Sequence, residues 1–196
     1  MKTFQLEGTP RTIAERSSEQ KKAIKALRKE DLIPAVLYGG TENIPFTVSN
    51  DAVRKLVYTP EIYAIELTVG KKKTMAIVKE IQFHPVNDNI LHMDFLEIND
   101  QKPIVMEVPV ALEGHSEGVK AGGKLSLEMR KLKIKALYTK IPEKLVINID
   151  NLGLGKTMQV GELHFEGLEI MNAKNAVVCA VKLTRAARGA QAKSGK

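Results

Sequence analysis

The chain contains one cysteine and no tryptophan among its 196 residues. Cys179 therefore has no intrachain disulfide partner, and its neighbours Val177, Val178 and Val181 are typical of a small buried side chain rather than a reactive thiol. Aromatic residues make up only 5% of the chain, which argues against a stacking platform for single-stranded nucleic acid. Disulfide scaffolds and thiol enzymes are disfavoured on these grounds.

Long apolar runs are also missing. No run approaches the roughly eighteen residues that a membrane helix needs. Residues 1–8 lack the apolar core of a signal peptide. We therefore expect a cytoplasmic protein with no membrane partner.

Basic residues outnumber acidic ones, and the excess is concentrated locally. Lys and Arg number 30 against 23 Asp and Glu, a net charge of +7, which favours an anionic partner. The stretch 20–29 contains no acid, and its cations are Lys21, Lys22, Lys25, Arg28 and Lys29. This stretch is the strongest functional signal in the sequence.

The same stretch has the periodicity of a helix. At about 3.6 residues per turn, Lys21, Lys25 and Arg28 line one face. The residues available for packing are Ala23, Ile24 and Leu27. A cationic ridge of this kind suits RNA phosphates, although charge runs are also common on ordinary solvated helices. Composition leaves both interpretations open.

Apolar and polar residues alternate along most of the chain, which predicts many β-strands. We expect residues 1–98 to form a six- or seven-stranded β-barrel with two helices. A second, mainly β domain over residues 99–184 then begins with a polar stretch at 99–103. Residues 185–196 are predicted to be a flexible basic tail. The predicted fold class is mainly β with a few helices.

One predicted strand, 90–96, carries polar side chains that share a face. Alternation places its apolar set inward, namely Leu91, Met93 and Phe95. His92 and Asp94 then point outward together. With His84 they could be ribose and base-edge contacts, two imidazoles and a carboxylate of a metal site, or plain surface. No fourth ligand and no typical metal-ligand spacing supports the metal.

The stretch from Gly153 to Thr157 ends in the Gly-Lys-Thr of a phosphate-binding loop and follows a predicted strand. The motif requires glycine five residues before Gly155, but position 150 is Asp. We interpret this stretch as a turn. Nucleotide hydrolysis through Lys156 stays open as a weaker alternative.

The order and spacing of several motifs resemble one family over nearly the whole chain. After the basic helix, the N-terminal motifs are Ile33 to Gly40, Glu80 to Pro85, and His92 to Phe95. The later motifs are Val108 to Val110, Glu117 to Gly123, Ile141 to Glu143, and Leu152 to Gly155. Together they resemble the bacterial large-subunit ribosomal proteins that bind 5S rRNA, the Ctc or general stress protein family, in the long two-domain form.

The resemblance implies a structural, non-enzymatic protein with no cofactor and no small-molecule substrate. Its N-terminal barrel would bind the loop E region of 5S rRNA in the central protuberance of the large subunit. Neighbouring ribosomal proteins and rRNA would be further partners. An RNA chaperone linked to stress and acting off the ribosome is the alternative within RNA binding.

The resemblance also assigns site residues by position. Lys21, Lys25 and Arg28 would contact phosphates and the groove, and Tyr38 would lie against the RNA. His92 and Asp94 would contact groove edges or ribose. The remaining family positions on the barrel are Lys79, Gln82 and His84, of which the last two could be structural.

The chain departs from the family on the basic helix. Ile24 and Ala26 occupy positions where relatives often carry a hydroxyl group and an arginine. Lys22 and Lys29 are expected to restore the charge, without the bidentate geometry of arginine.

Overall fold

The computed structural model describes residues 1–12, 17–185 and 187. The helices are α1 (Ser17–Lys29), α2 (Asn50–Val57) and α3 (Glu117–Lys120). Strands of the N-terminal part are β1 (Lys2–Pro10), β2 (Leu32–Tyr38), β3 (Ile44–Ser49), β4 (Tyr63–Val69), β5 (Lys72–Phe83) and β6 (Ile90–Glu97). The later strands are β7 (Ile104–Glu113), β8 (Lys124–Leu127), β9 (Lys131–Ala136), β10 (Leu145–Asn148), β11 (Thr157–Gln159), β12 (Glu169–Ile170) and β13 (Val177–Lys182). Short 3-10 turns occur at Tyr138–Lys140 and Val160–Glu162.

The first six strands close into a barrel in the order β1-β3-β2-β6-β5-β4. β1 runs parallel to β4 and β2 runs parallel to β6, whereas the other neighbours are antiparallel. Because side chains alternate along each strand, one set from every strand fills the interior. Phe46 and Phe95 are fully buried there, with ring centroids 5.4 Å apart. The predicted mainly β class and the N-terminal barrel are confirmed, with six strands.

The chain divides into two compact units. One comprises Met1–Ile104 with Leu137–Thr139, and the other comprises Val105–Ala136 with Lys140–Lys196. The second unit contains a four-stranded sheet, β10-β7-β9-β12, and a three-stranded sheet, β11-β13-β8. Its cores include Leu132, Ile134 and Cys179, each fully buried. Burial raises the pKa of the Cys179 thiol, as expected for a side chain that acts as a hydrophobe.

The predicted tail, 185–196, lies largely outside the described residues. Thr184 stands at its start, where the side-chain oxygen accepts a hydrogen bond from the N–H of Ala187 at 3.2 Å. Arg185 and Ala187 are helical, and Ala187 is buried. Of the described residues of this segment, Ala187 is buried whereas Arg185 is exposed, and the flexible tail stays a prediction. Within the described ranges, no helix is long and apolar enough to cross a membrane.

Candidate nucleic-acid interface

The predicted barrel residues lie on the outer surface of three adjacent strands, β2, β6 and β5. Val36 of β2 is paired with Asp94 of β6, and Asp94 is paired in turn with Glu80 of β5. One step along, His92 is paired with Gln82. We call the outer surface of these strands the barrel face. It brings together most of the polar groups that the sequence singled out on separate strands.

The alternation predicted for β6 is correct at four positions and wrong at one. Met93 and Phe95 are fully buried, and His92 and Asp94 point outward. Leu91 is only half-buried, and Ile90 takes the core position instead. The register shifts between the pairs Gln82↔His92 and Phe83↔Ile90, so Leu91 is an extra residue on its strand. A bulge of this kind leaves no mark in the apolar pattern.

His92 and Asp94 form a pair on the barrel face. The distance from His92 Nδ1 to Asp94 Oδ1 is 2.8 Å, and both side chains are roughly 30% exposed, at 28% and 30%. A carboxylate that accepts from Nδ1 fixes the ring orientation and leaves Nε2 free to meet a ligand. The pair therefore offers an oriented imidazole nitrogen and a carboxylate oxygen side by side.

Tyr38 lies at the end of β2 on the same face. Partial burial raises the pKa of its hydroxyl, and the nearby carboxylates of Asp94 and Glu80 raise it further. The hydroxyl thus stays protonated and can both donate and accept a hydrogen bond at neutral pH. Glu80, which the sequence did not single out, brings a second acid close to Asp94.

A second bulge sets the position of Lys79. The register of β5 shifts between Val78 and Glu80, so Lys79 is the extra residue there. Its side chain is exposed, as is that of Gln82. Bulges re-aim side chains, and this one separates Lys79 from the regular alternation of β5.

The basic helix α1 packs on the barrel along a narrow stripe. Its half-buried residues are Gln20, Ile24 and Leu27, whereas Ala23, expected on the packing face, is exposed. The exposed cations are Lys21, Lys22, Lys25, Arg28 and Lys29. Since none of the helix side chains described here is fully buried, nearly the whole helix surface is available to a partner.

Arg28 joins the helix to the barrel face. Its guanidinium group donates a hydrogen bond to the carbonyl oxygen of Leu91 at 3.1 Å. Leu91 is the bulged residue, so its carbonyl is released from the regular ladder and can accept this bond. Arg28 keeps further N–H donors for a ligand. Its predicted contact role thus coexists with an anchoring one.

His84 has a structural role in the turn between β5 and β6. Its Nδ1 accepts hydrogen bonds from the backbone N–H groups of Val86 and Asn87, at 3.2 and 3.3 Å. The backbone of His84 is bonded to Asn89 and Asp88 in the same turn. Only Nε2 is left for an external partner.

Neither enzyme alternative has the geometry it requires. Within residues 1–12, 17–185 and 187, no three His, Cys, Asp or Glu side chains are grouped to hold a metal ion. In the Gly153 to Thr157 stretch, the Gly155 N–H is bonded to the Val181 carbonyl at 2.9 Å, and the Lys156 N–H to the Gly153 carbonyl at 3.2 Å. These amides are not free to hold phosphate, and strand β11 rather than a helix follows.

Comparisons with known proteins account for both halves of the chain. The Ribosomal L25p family matches residues 6–95, and the family described as ribosomal protein TL5, C-terminal domain, matches residues 103–185.

Similar full-length proteins are each named large ribosomal subunit protein bL25. The one from Parabacteroides distasonis is 72% identical over 193 residues, covering 98% of this chain and all of that protein. That of Porphyromonas gingivalis is 70% identical over 195 residues, covering 98% of this chain and 99% of that protein. That of Bacteroides thetaiotaomicron is 65% identical and covers both chains completely. The chain belongs to the Ribosomal L25p family, in the two-domain form with a TL5 C-terminal domain.

Proposed function

We propose that this protein binds 5S rRNA in the loop E region, within the central protuberance of the large ribosomal subunit. The contacts come from α1 and from the barrel face of β2, β6 and β5. The observation that carries the proposal is the hydrogen bond from Arg28 to the Leu91 carbonyl. It fixes a helix of exposed cations beside the His92 and Asp94 pair, so that phosphate contacts and groove contacts share one surface.

The protein is a structural component of the large ribosomal subunit in the cytoplasm, and not an enzyme, as expected for a member of a ribosomal protein family. This agrees with the interpretation of Gly153 to Thr157 as a turn. Within the subunit its partner is rRNA. We propose 5S rRNA and neighbouring ribosomal proteins as the specific partners. No cofactor is part of the proposal.

The two parts of the surface, α1 and the barrel face, have different roles in RNA recognition. The exposed lysines of α1 supply charge for phosphates, which gives affinity without reading sequence. The barrel face supplies shorter, directional groups, namely Tyr38, Gln82, His92 and Asp94, with Lys79 beside them. The wide, shallow minor groove of an RNA helix presents 2′-hydroxyls and base edges that such groups can reach.

The acidic groups on the barrel face argue for groove recognition rather than a general affinity for polyanions. Asp94 and Glu80 would repel phosphates placed directly over them. A carboxylate is useful where it accepts a hydrogen bond from a ribose hydroxyl or a base amino group. We therefore place the phosphates over α1 and a groove over the barrel face.

A filter-binding titration tests the proposal with three RNAs of equal length: 5S rRNA, 5S rRNA with loop E replaced by a regular duplex, and an unrelated hairpin. We expect tight, salt-sensitive binding to the first and weaker binding to the other two. Equal affinity for all three at moderate salt would overturn the proposal.

Action as an RNA chaperone off the ribosome predicts a different distribution. The protein would then wash off purified large subunits at moderate salt, and mixed cellular RNAs would co-purify with it. We expect it instead to co-sediment with the subunits through the wash, with 5S rRNA as the RNA that co-purifies.

A further inference from the structure

A small cleft opens beside the basic helix, between the end of α1, the start of β2 and the turn that joins β5 to β6. Its volume is about 200 Å³. Pockets for drug-sized ligands span roughly 300–1,000 Å³, so this cleft has room for one ring system rather than a whole cofactor. Arg28 lines the cleft and also anchors α1, so the cleft adjoins the proposed RNA surface.

The cleft combines an apolar lining with a polar rim. Its apolar lining comes from the half-buried side chains of Leu32 and Leu91, with the core residues Ile33 and Ile90 behind them. The polar lining residues are Arg28, Asp31, Asn50, His84 and Asn89. A planar, polar-edged ring matches such a lining, because its faces are apolar and its edge carries hydrogen-bonding groups.

Backbone hydrogen bonds hold the rim in place. The Asn50 N–H donates to the Asp31 carbonyl at 3.0 Å on one side, and the His84 N–H donates to the Asn89 carbonyl at 2.8 Å on the other. The side chains of Asp31, Asn50 and Asn89 make no hydrogen bond with another residue of the described ranges. The rim therefore presents side chains that can hydrogen-bond a ligand, on a backbone that is held in place by hydrogen bonds.

We propose that this cleft takes an unpaired guanine base extruded from the bound RNA, an inference that rests on the proposed function. Guanine carries imino and amino N–H groups side by side on its Watson–Crick edge, and the Asp31 carboxylate accepts both. The planar guanidinium of Arg28 stacks on the base, a contact that arginine commonly makes with unpaired bases. Asn50 and Asn89 bond the remaining edge atoms.

A phosphate fits this site less well than a base. Asp31 places a carboxylate on the rim, which repels an anion. The apolar lining from Leu32 and Leu91 cannot solvate an anion either. A guanine base does both: its N–H groups donate to the Asp31 carboxylate, and its ring covers the apolar lining.

Two variants and one matched control test the inference in the full-length protein. Asp31→Asn replaces the carboxylate with a neutral amide, and asparagine tolerates the positive φ of 55° found there. Asn89→Ala removes a rim group. Asn87→Ala is the control, since Asn87 is exposed in the same turn but does not line the cleft. Thermal melts of all three confirm folding.

The RNA partner is varied in parallel. In 5S rRNA each unpaired guanosine is replaced, one at a time, by inosine, which lacks the amino group, and by an abasic residue. We expect one guanosine position at which both replacements weaken binding of the RNA by the wild-type protein, with a loss of about tenfold for the abasic residue. Asp31→Asn should bind unmodified 5S rRNA about tenfold more weakly and show no further loss at that position.

One result would overturn the inference while the wild-type protein still binds 5S rRNA tightly. In that result, Asp31→Asn and Asn89→Ala bind 5S rRNA as tightly as the control Asn87→Ala. In addition, every guanosine replacement weakens binding by the wild-type protein and by Asp31→Asn equally. The proposed function would survive that result. Cleft variants that bind RNA normally but fail to join the subunit would assign the cleft to a protein neighbour and also overturn it. Loss of 5S rRNA preference by the wild-type protein would instead overturn the proposed function.

Discussion

Two lysine-rich surfaces of this protein, on α1 and on β9, differ in whether carboxylates lie beside the lysines. On α1, Lys21, Lys25 and Lys29 are exposed, and none makes an ion pair with another residue in the described ranges. These lysines stand four residues apart, so they repel one another along the helix. Such a surface gains free energy when an anion approaches.

Two of the three lysines of β9 have carboxylate neighbours. Lys133 Nζ lies 3.8 Å from a carboxylate oxygen of Glu107, and Lys135 Nζ lies 3.3 Å from one of Glu169. Exposed pairs of this kind contribute little to stability, but each carboxylate cancels the charge that a phosphate would otherwise meet. The number of lysines on a surface is therefore not our criterion for an RNA contact. Our prediction is that phosphates bind the surface whose lysines have no carboxylate beside them.

The largest expected effect comes from removing the charge on α1. Lys21→Ala/Lys25→Ala/Lys29→Ala should weaken 5S rRNA binding by about 100-fold at roughly 0.1 M salt, since three phosphate contacts are lost. Alanine favours the helix, so the fold of α1 is preserved. Filter binding measures the effect, and circular dichroism checks the helix.

The matched control removes three lysines from β9. Lys131→Ala/Lys133→Ala/Lys135→Ala lowers the net charge by the same amount, but two of these lysines have carboxylate partners. We expect its affinity for 5S rRNA to stay within about threefold of wild type. Equal losses for the two triple variants would show that only net charge matters.

A smaller effect is expected from the barrel face. His92→Ala and Asp94→Ala should each weaken binding to 5S rRNA by about tenfold, while changing the affinity for an unrelated hairpin little. Because the two side chains are hydrogen-bonded, the double variant should lose little more than either single variant. Additive losses on 5S rRNA would contradict a shared role.

The resemblance of the motifs identified the family, and alternation along the strands predicted the barrel. Both depend on patterns that repeat over many residues. The bulges at Lys79 and Leu91 were not predicted, because one extra residue barely changes an apolar pattern but redirects the chain that follows. The bond from Arg28 to the Leu91 carbonyl depends on such a bulge, so the sequence could not reveal it.

The sequence also did not predict which partners individual polar side chains bond to. His84 and His92 belong to neighbouring motifs, yet one ring holds a turn and the other is oriented by a carboxylate. Which carboxylate faces which lysine on β9 depends on strand pairing over long sequence separations. The cleft residues Asp31, Asn50 and Asn89 come from the α1–β2 turn, the start of α2 and the β5–β6 turn, which only the closed barrel brings together.

The smallest effect on RNA binding is expected from a carboxylate in the C-terminal unit. The His115 N–H donates to Asp150 Oδ1 at 2.7 Å, and this bond, followed by one involving Asn148, holds the pKa of Asp150 below its usual range. A carboxyl whose pKa is lower when folded stabilises the fold above its unfolded pKa and loses that contribution as pH falls through the folded value.

Asp150→Asn should therefore lower the melting temperature at pH 7, and the difference from wild type should shrink as the pH drops below about 4. Affinity for 5S rRNA should not change, because the proposed contacts all lie in the N-terminal unit. Melting curves at several pH values and one titration check both points. A pH-independent difference would remove the electrostatic explanation.

The salt dependence of 5S rRNA binding tests the central claim most directly. It is measured for the wild-type protein, the α1 triple variant and the β9 triple variant under identical conditions. Each phosphate contact adds about 0.7–0.9 to the slope of log affinity against log salt concentration. We predict a slope shallower by about two to three for the α1 variant and an unchanged slope for the β9 variant. Equal slopes for wild type and the α1 variant would contradict the assignment of α1 as the phosphate-binding element.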